Sequence, residues 1–145
     1  MSAPVVYVAH PQSTYGTKWE ADCLQAVVNA LPDAELVNPA GLFESNEDWR
    51  RKGPIVLANV DKVVVFTDAR GWIGLGVVTE IVLATALGKP VLFLYPRYGV
   101  LCTRARIREP HDRPFPRTPQ AVTRMFRRFA RLHPDLMSAM QSEDL

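Results

Sequence analysis

The sequence predicts an α/β fold: a parallel sheet with helices on both faces. Two observations carry this. Short apolar strands alternate four times with helical or loop segments over short links, the pattern of successive crossover units. The run "DKVVVFTD", Asp61 to Asp68, is apolar on both faces through its middle, as a central parallel strand must be. The chain of 145 residues is about one domain long, with no internal repeat.

The elements follow in order. "PVVYVA", Pro4 to Ala9, is β-branched and aromatic, bounded by proline and by "HP", and reads as a buried first strand. After the polar loop "HPQSTYG", Thr17 and Glu20 have capping-box spacing: the hydroxyl accepts the amide three residues on and the glutamate reaches back. Leu24, Val27, Val28 and Leu31 then recur at helical spacing, so Lys18–Leu31 is an amphipathic helix stopped by Pro32. "AELVNP" is a short second strand. Residues 44–60 have an acidic start and a Gly53-Pro54 interruption, which predicts two short helical pieces. After the third strand, a glycine-containing loop leads into a helix from about Val77 to Leu87, with Gly88 just past its end. "PVLFLYP" is the fourth strand. A proline- and arginine-rich loop runs from Pro96 to about Arg117, and an amphipathic basic helix follows, with Val122, Met125, Phe126 and Phe129 on its apolar stripe. These elements together describe a single-domain, doubly wound parallel sheet, a flavodoxin- or Rossmann-like three-layer sandwich with a basic C-terminal helix.

Composition narrows the function classes. The chain is 48% hydrophobic and 22% charged, ordinary globular material. No apolar run approaches the roughly 20 residues of a membrane span, and the N-terminus lacks the marks of a signal peptide. Two cysteines, Cys23 and Cys102, are too few for a secreted disulfide framework; the expectation is a cytoplasmic protein with reduced thiols. His111 and His133 have no partners at metal-ligand spacing, so neither a metal nor a cofactor is expected. The net charge of +2 combines −3 over residues 1–96 with +5 over residues 97–145. Nine arginines between Arg104 and Arg131 give two readings. The simpler is a terminal helix with a solvated basic face; the other is a phosphate or nucleic-acid contact, as in a nucleic-acid-associated accessory protein.

In an open parallel sheet, ligands bind outside the carboxyl ends of the strands. That rule selects His10, Pro11, Ser13, Thr14 and Tyr15 after the first strand and Asn38 after the second. After the third come Asp68, Trp72, Gly74, Gly76 and Glu80, and after the fourth, Arg97. Tyr7 lies near the end of the first strand. Glu80 is the lone acid of a long uncharged run. Near a helix N-terminus the amides favour its charged form, and glycines at 74 and 76 let a substrate approach the backbone. An ionised carboxylate there suits a nucleophile attacking a sugar carbon; the competing reading is an acid that only stabilises its helix. The segment is not a dinucleotide fingerprint, since Thr79 stands at its third glycine and the loop follows the third strand. No Walker phosphate loop is present. Trp19 and Trp49 read as packing or interface residues; Trp72, on the glycine loop, is placed to stack on a base.

These motifs resemble those of the nucleoside 2-deoxyribosyltransferases and the related nucleotide N-glycosidases. Tyr7-Val8-Ala9-His10-Pro11 is similar to the family's Tyr-x-Ala-Gly-Pro, Asn38-Pro39 to its motif after the second strand, and Asp61 with "KVVVF" to its Ala-Asp-hydrophobic strand. Gly74 to Glu80, followed by Ala84 and "GKPV", resembles its Asp-x-Gly-Thr-x-x-Glu signature. The likeness spans roughly residues 4–96. It implies Glu80 as the nucleophile that forms a glycosyl-enzyme, Tyr7 as the residue that positions it, a nucleoside or nucleotide as substrate, and a homo-oligomeric assembly. Gly74 stands where the signature has aspartate and His10 where the family has glycine, and a carboxylate expected near Gly53 has no counterpart. Asp68 or Asp48 is a candidate substitute, and His10 is a candidate proton donor to a leaving base or else a structural residue at the strand end. These departures keep a second expectation open: a nucleotide-binding or sensing module without catalysis.

Overall fold

The computed structural model describes residues 3–71, 73, 75–96, 99–102 and 131. Among them are five strands and three α-helices in an α/β arrangement. The strands are β1 (Val5–Ala9), β2 (Glu35–Val37), β3 (Lys62–Val65), β4 (Val91–Tyr95) and β5 (Val100–Cys102). The helices are α1 (Lys18–Ala30), α2 (Asn46–Ala58) and α3 (Leu75–Ala86). The sheet order is β2-β1-β3-β4-β5; β1 to β4 are parallel and β5 is antiparallel to β4. None of the described helices is long and apolar enough to cross a membrane.

Side-chain alternation along the strands divides the core in two. Val6, Val8, Val64, Phe66 and Leu94 pack with Cys23 and Val27 of α1. Tyr7, Ala9, Val63, Val65 and Phe93 pack with Leu57 of α2 and with Val77, Ile81 and Ala84 of α3. Tyr7 pairs in register with Val63, and Ala9 with Val65, so the aromatic ring of Tyr7 is committed to the α2–α3 side.

Local signals set the helix ends. The Thr17 hydroxyl accepts from the Glu20 amide at 3.2 Å, as a capping box requires. Glu20 does not close the box on Thr17. Its Oε1 instead accepts from the Gly16 amide at 3.0 Å. α2 begins the same way: Ser45 accepts from the Asp48 amide and Asp48 from the Glu44 amide, both at 3.0 Å. Gly88, with φ of +72°, ends α3 where a Cβ would be strained. The Gly88 amide bonds the Thr85 carbonyl and the Lys89 amide the Ala84 carbonyl, a complete Schellman motif.

Three expectations are corrected. Residues 46–58 form one helix through Gly53-Pro54, not two pieces. Proline removes one helical hydrogen bond, but Gly53, Pro54 and Leu57 are all buried, and that packing outweighs the loss. α3 starts at Leu75, two residues earlier than the apolar run suggests, so Glu80 lies in its second turn and not at its N-terminal amides. Part of the loop expected after Pro96 is strand β5, which extends the sheet beyond β4. The expected basic helix falls, except for Arg131, outside the described residues.

Candidate functional site

The chain leaves β1 toward β2 on one side of the sheet and later places β3 on the other. Tyr7 comes from β1 and Glu80 from α3, which follows β3. They are 73 residues apart in sequence, and the Tyr7 hydroxyl donates a hydrogen bond to Glu80 Oε2. Both are buried: Tyr7 is fully enclosed and Glu80 is 5% exposed. Val77, Glu80, Ile81 and Ala84 follow the i, i+3, i+4, i+7 spacing of one helix face, which puts the acid on the core stripe of α3.

Burial decides the charge of this acid. It pushes the Glu80 pKa from the ordinary 4.5 up to about 8, and the hydrogen bond from Tyr7 acts the other way. Glu80 is therefore mainly a neutral carboxylic acid at pH 7, contrary to the expectation of a carboxylate kept ionised by helix amides. The error lies in the helix start: six residues into α3, the N-terminal amides no longer face the carboxyl. Tyr7 is also raised, by burial first and then by the charge of Glu80, so its hydroxyl stays protonated and acts as donor. Tyr15, half-buried, is pushed up to about 12 by burial and by the charges of Glu80 and Glu20, which marks it as a neighbour of the pair.

Trp49 is the residue that the sequence reading assigned to packing or an interface. Its ring packs against the core cluster that holds Tyr7. A glycine one helical turn later makes this possible. A Cβ on Gly53 would lie 2.8 Å from Trp49 Cε2 and 3.0 Å from Nε1. A tryptophan and a glycine at i and i+4 in a helix was the available signal: the missing side chain leaves room for the ring.

His10 lies at the end of β1 and is 1% exposed. Nδ1 faces the Val8 carbonyl at 2.8 Å and so carries a proton; Nε2 faces Glu20 Oε2 at 2.7 Å, with one proton between them. The ring stacks on Phe66 at 4.4 Å and tilts against Tyr15 at 5.0 Å. Both ring nitrogens are engaged within the protein, which is the structural alternative for this residue. Glu20 thus ties His10 to the Gly16 amide and holds the loop that carries Tyr15.

The remaining candidates divide. Pro11 and Thr14 are buried and bonded to each other, the Pro11 carbonyl accepting from the Thr14 hydroxyl at 2.7 Å; Ser13 is exposed. Asn38 accepts from the Ala40 amide and Asp68 from the Arg70 amide, each shaping its own turn. Asp48 accepts from the Glu44 amide and pairs with Lys52 at 3.0 Å, and these contacts hold its carboxyl below the usual range. Gly76 is exposed, with open space where a side chain would stand. Trp72, Gly74 and Arg97 lie outside the described residues. No group of three potential metal ligands exists among the described residues.

The chain matches no protein-family model, and no curated protein matches it. The chemistry of the site therefore rests on its geometry: a buried acid that accepts from a buried tyrosine hydroxyl.

Proposed function

We propose that the protein cleaves or transfers at the N-glycosidic bond of a nucleoside or nucleoside 5′-monophosphate, with Glu80 as nucleophile and Tyr7 as its positioning residue. The observation that carries this reading is the hydrogen bond from the buried Tyr7 hydroxyl to Glu80 across 73 residues of sequence. The resemblance to the nucleoside 2-deoxyribosyltransferases assigns the same two residues to these roles. A carboxylate oxygen of Glu80 bonds to the anomeric carbon as the carbon–nitrogen bond breaks, and the base leaves with the electron pair and takes up a proton. Water or a second base then attacks the same carbon and releases Glu80. Positive charge developing on the sugar favours the ionised form of Glu80, so a substrate draws the acid toward the reactive state that burial alone disfavours.

Support for a doubly wound, flavodoxin-like fold under this reading comes from the order β2-β1-β3-β4-β5 and from cores on both sheet faces. A cytoplasmic setting accords with two free cysteines, and a homo-oligomer follows from the resemblance alone. Burial of Glu80 with a pKa pushed up to about 8 favours a second reading, a nucleotide-binding module without catalysis, because a neutral acid is a poor nucleophile.

Incubation with a panel of nucleosides and 5′-monophosphates, with and without a free acceptor base, separates the two. Base release or exchange that is lost in Glu80→Ala is the expected result. Nucleotide binding without turnover by the wild-type protein would overturn the enzymatic reading.

A further inference from the structure

We propose that Trp19 and Glu20 are positioning residues of the candidate site: from adjacent places in the first turn of α1 they tie down the two segments that leave β3 and β1. This rests on the reading of Glu80 as the reactive group. The segment after β1 begins at His10, three residues beyond Tyr7, and the segment after β3 leads into the helix that carries Glu80.

The Trp19 indole donates to the Thr67 carbonyl at 2.7 Å, 48 residues away in sequence. The Glu20 carboxyl divides its oxygens: Oε2 faces His10 Nε2 at 2.7 Å, and Oε1 accepts from the Gly16 amide at 3.0 Å. Successive residues of a helix point about 100° apart, so these neighbours in sequence reach different segments. The two ties meet again at the sheet. His10 stacks on Phe66 at 4.4 Å, and Phe66 adjoins Thr67 and bonds the Ala9 carbonyl through its amide at 3.1 Å. Trp19, Thr67, Phe66, His10 and Glu20 therefore close a circuit of contacts, and neither segment shifts without breaking a member of it. Thr67, Phe66, His10 and Glu20 are buried, and Trp19 packs against the core on the α1 side of the sheet. Bonds within each segment spread the hold: the Thr17 hydroxyl donates to the Thr14 carbonyl at 2.6 Å, and the Gly71 amide to the Asp68 carbonyl at 3.0 Å.

The test is amide hydrogen exchange and kinetics on the full-length protein and three variants. Trp19→Phe keeps an aromatic ring and loses the donor. Glu20→Ala loses both acceptors, whereas Glu20→Gln keeps an acceptor for Gly16 and offers a donor to His10 Nε2. Trp19→Phe is expected to speed exchange of the Gly71 amide about tenfold, and Glu20→Ala that of the Tyr15 and Thr17 amides about tenfold. The sheet amides of Glu35 and Val63 are expected to change less, and Glu20→Gln to stay close to the wild type. A Gly71 amide that keeps its wild-type rate in Trp19→Phe, or speeds up only in step with the sheet, would overturn the proposal. Should Glu20→Ala not fold, Trp19→Phe decides.

Kinetics keep this inference apart from the proposed function. Where the wild-type protein releases base, Trp19→Phe and Glu20→Ala each lose about tenfold in kcat with a smaller change in KM, and Glu20→Gln restores the rate. A raised KM at constant kcat, or Glu20→Gln as slow as Glu20→Ala, counts against a positioning role. Where the wild-type protein releases none, the proposed function fails, while exchange still decides whether α1 holds the two segments.

Discussion

Replacing Glu80 by glutamine converts the burial of this acid into a measurable dependence of stability on pH. In the unfolded chain the carboxyl ionises near 4.5; in the folded protein it does so at about 8. Below pH 4.5 both states hold the proton and Glu80 contributes no slope. Between 4.5 and 8 the folded state binds the proton and the unfolded state does not, so stability falls as pH rises. Each pH unit in that window is worth about 1.4 kcal/mol. The whole window therefore corresponds to a loss of the order of 5 kcal/mol, complete above about pH 8. Glutamine has nearly the same shape, accepts from Tyr7 and never ionises. Its advantage over the wild type is thus expected to be small at pH 4, to grow through neutrality and to level off above pH 8. Its second donor needs a partner, which lowers the absolute gain by about 1–2 kcal/mol without changing the slope. Urea unfolding of both proteins at intervals from pH 4 to pH 9 reads this directly, because groups common to the two cancel in the difference. A difference that is flat with pH would show that Glu80 ionises alike in both states. One that falls as pH rises would show a carboxylate stabilised by folding. Either result refutes the assignment of Glu80 as a buried neutral acid. A residue that costs stability at neutral pH and is nonetheless present at the meeting of three elements fits a functional role, where such strain is commonly retained.

Two further substitutions test the frame around the site. His10→Ala leaves the Glu20 carboxyl without its ring partner and opens space beside Phe66 and Tyr15. A loss of about 3 kcal/mol is expected in urea unfolding at neutral pH, and Glu20→Gln in the same background is expected to recover part of it. Thr17→Ala removes the acceptor for the Glu20 amide at the start of α1 and is expected to cost about 1 kcal/mol, with Tm falling and the pH dependence unchanged.

Much of the frame was legible in short stretches of sequence. The Thr17–Glu20 spacing located the start of α1, Gly88 located the end of α3, and the all-apolar middle of β3 put that strand inside the sheet. Each depends on backbone geometry within a few residues, where side-chain type and local hydrogen bonding decide the outcome. Tyr7 and Glu80 were also selected, by their places at strand and helix ends. Their direct hydrogen bond joins residues 73 apart and required the sheet order that brings β1 beside β3.

What the chain's own letters determined, then, is the succession of strands and helices and the types of residue offered at their ends. The tertiary structure decided the charge on Glu80, the enclosure of His10, the passage of α2 through Gly53-Pro54 and the packing of Trp49 over Gly53. The reason is physical: caps and turns are settled by neighbours in sequence, whereas desolvation depends on everything that packs around a group. A carboxyl has no fixed charge until its surroundings are assembled, and the surroundings of Glu80 come from β1, α2 and α3 together.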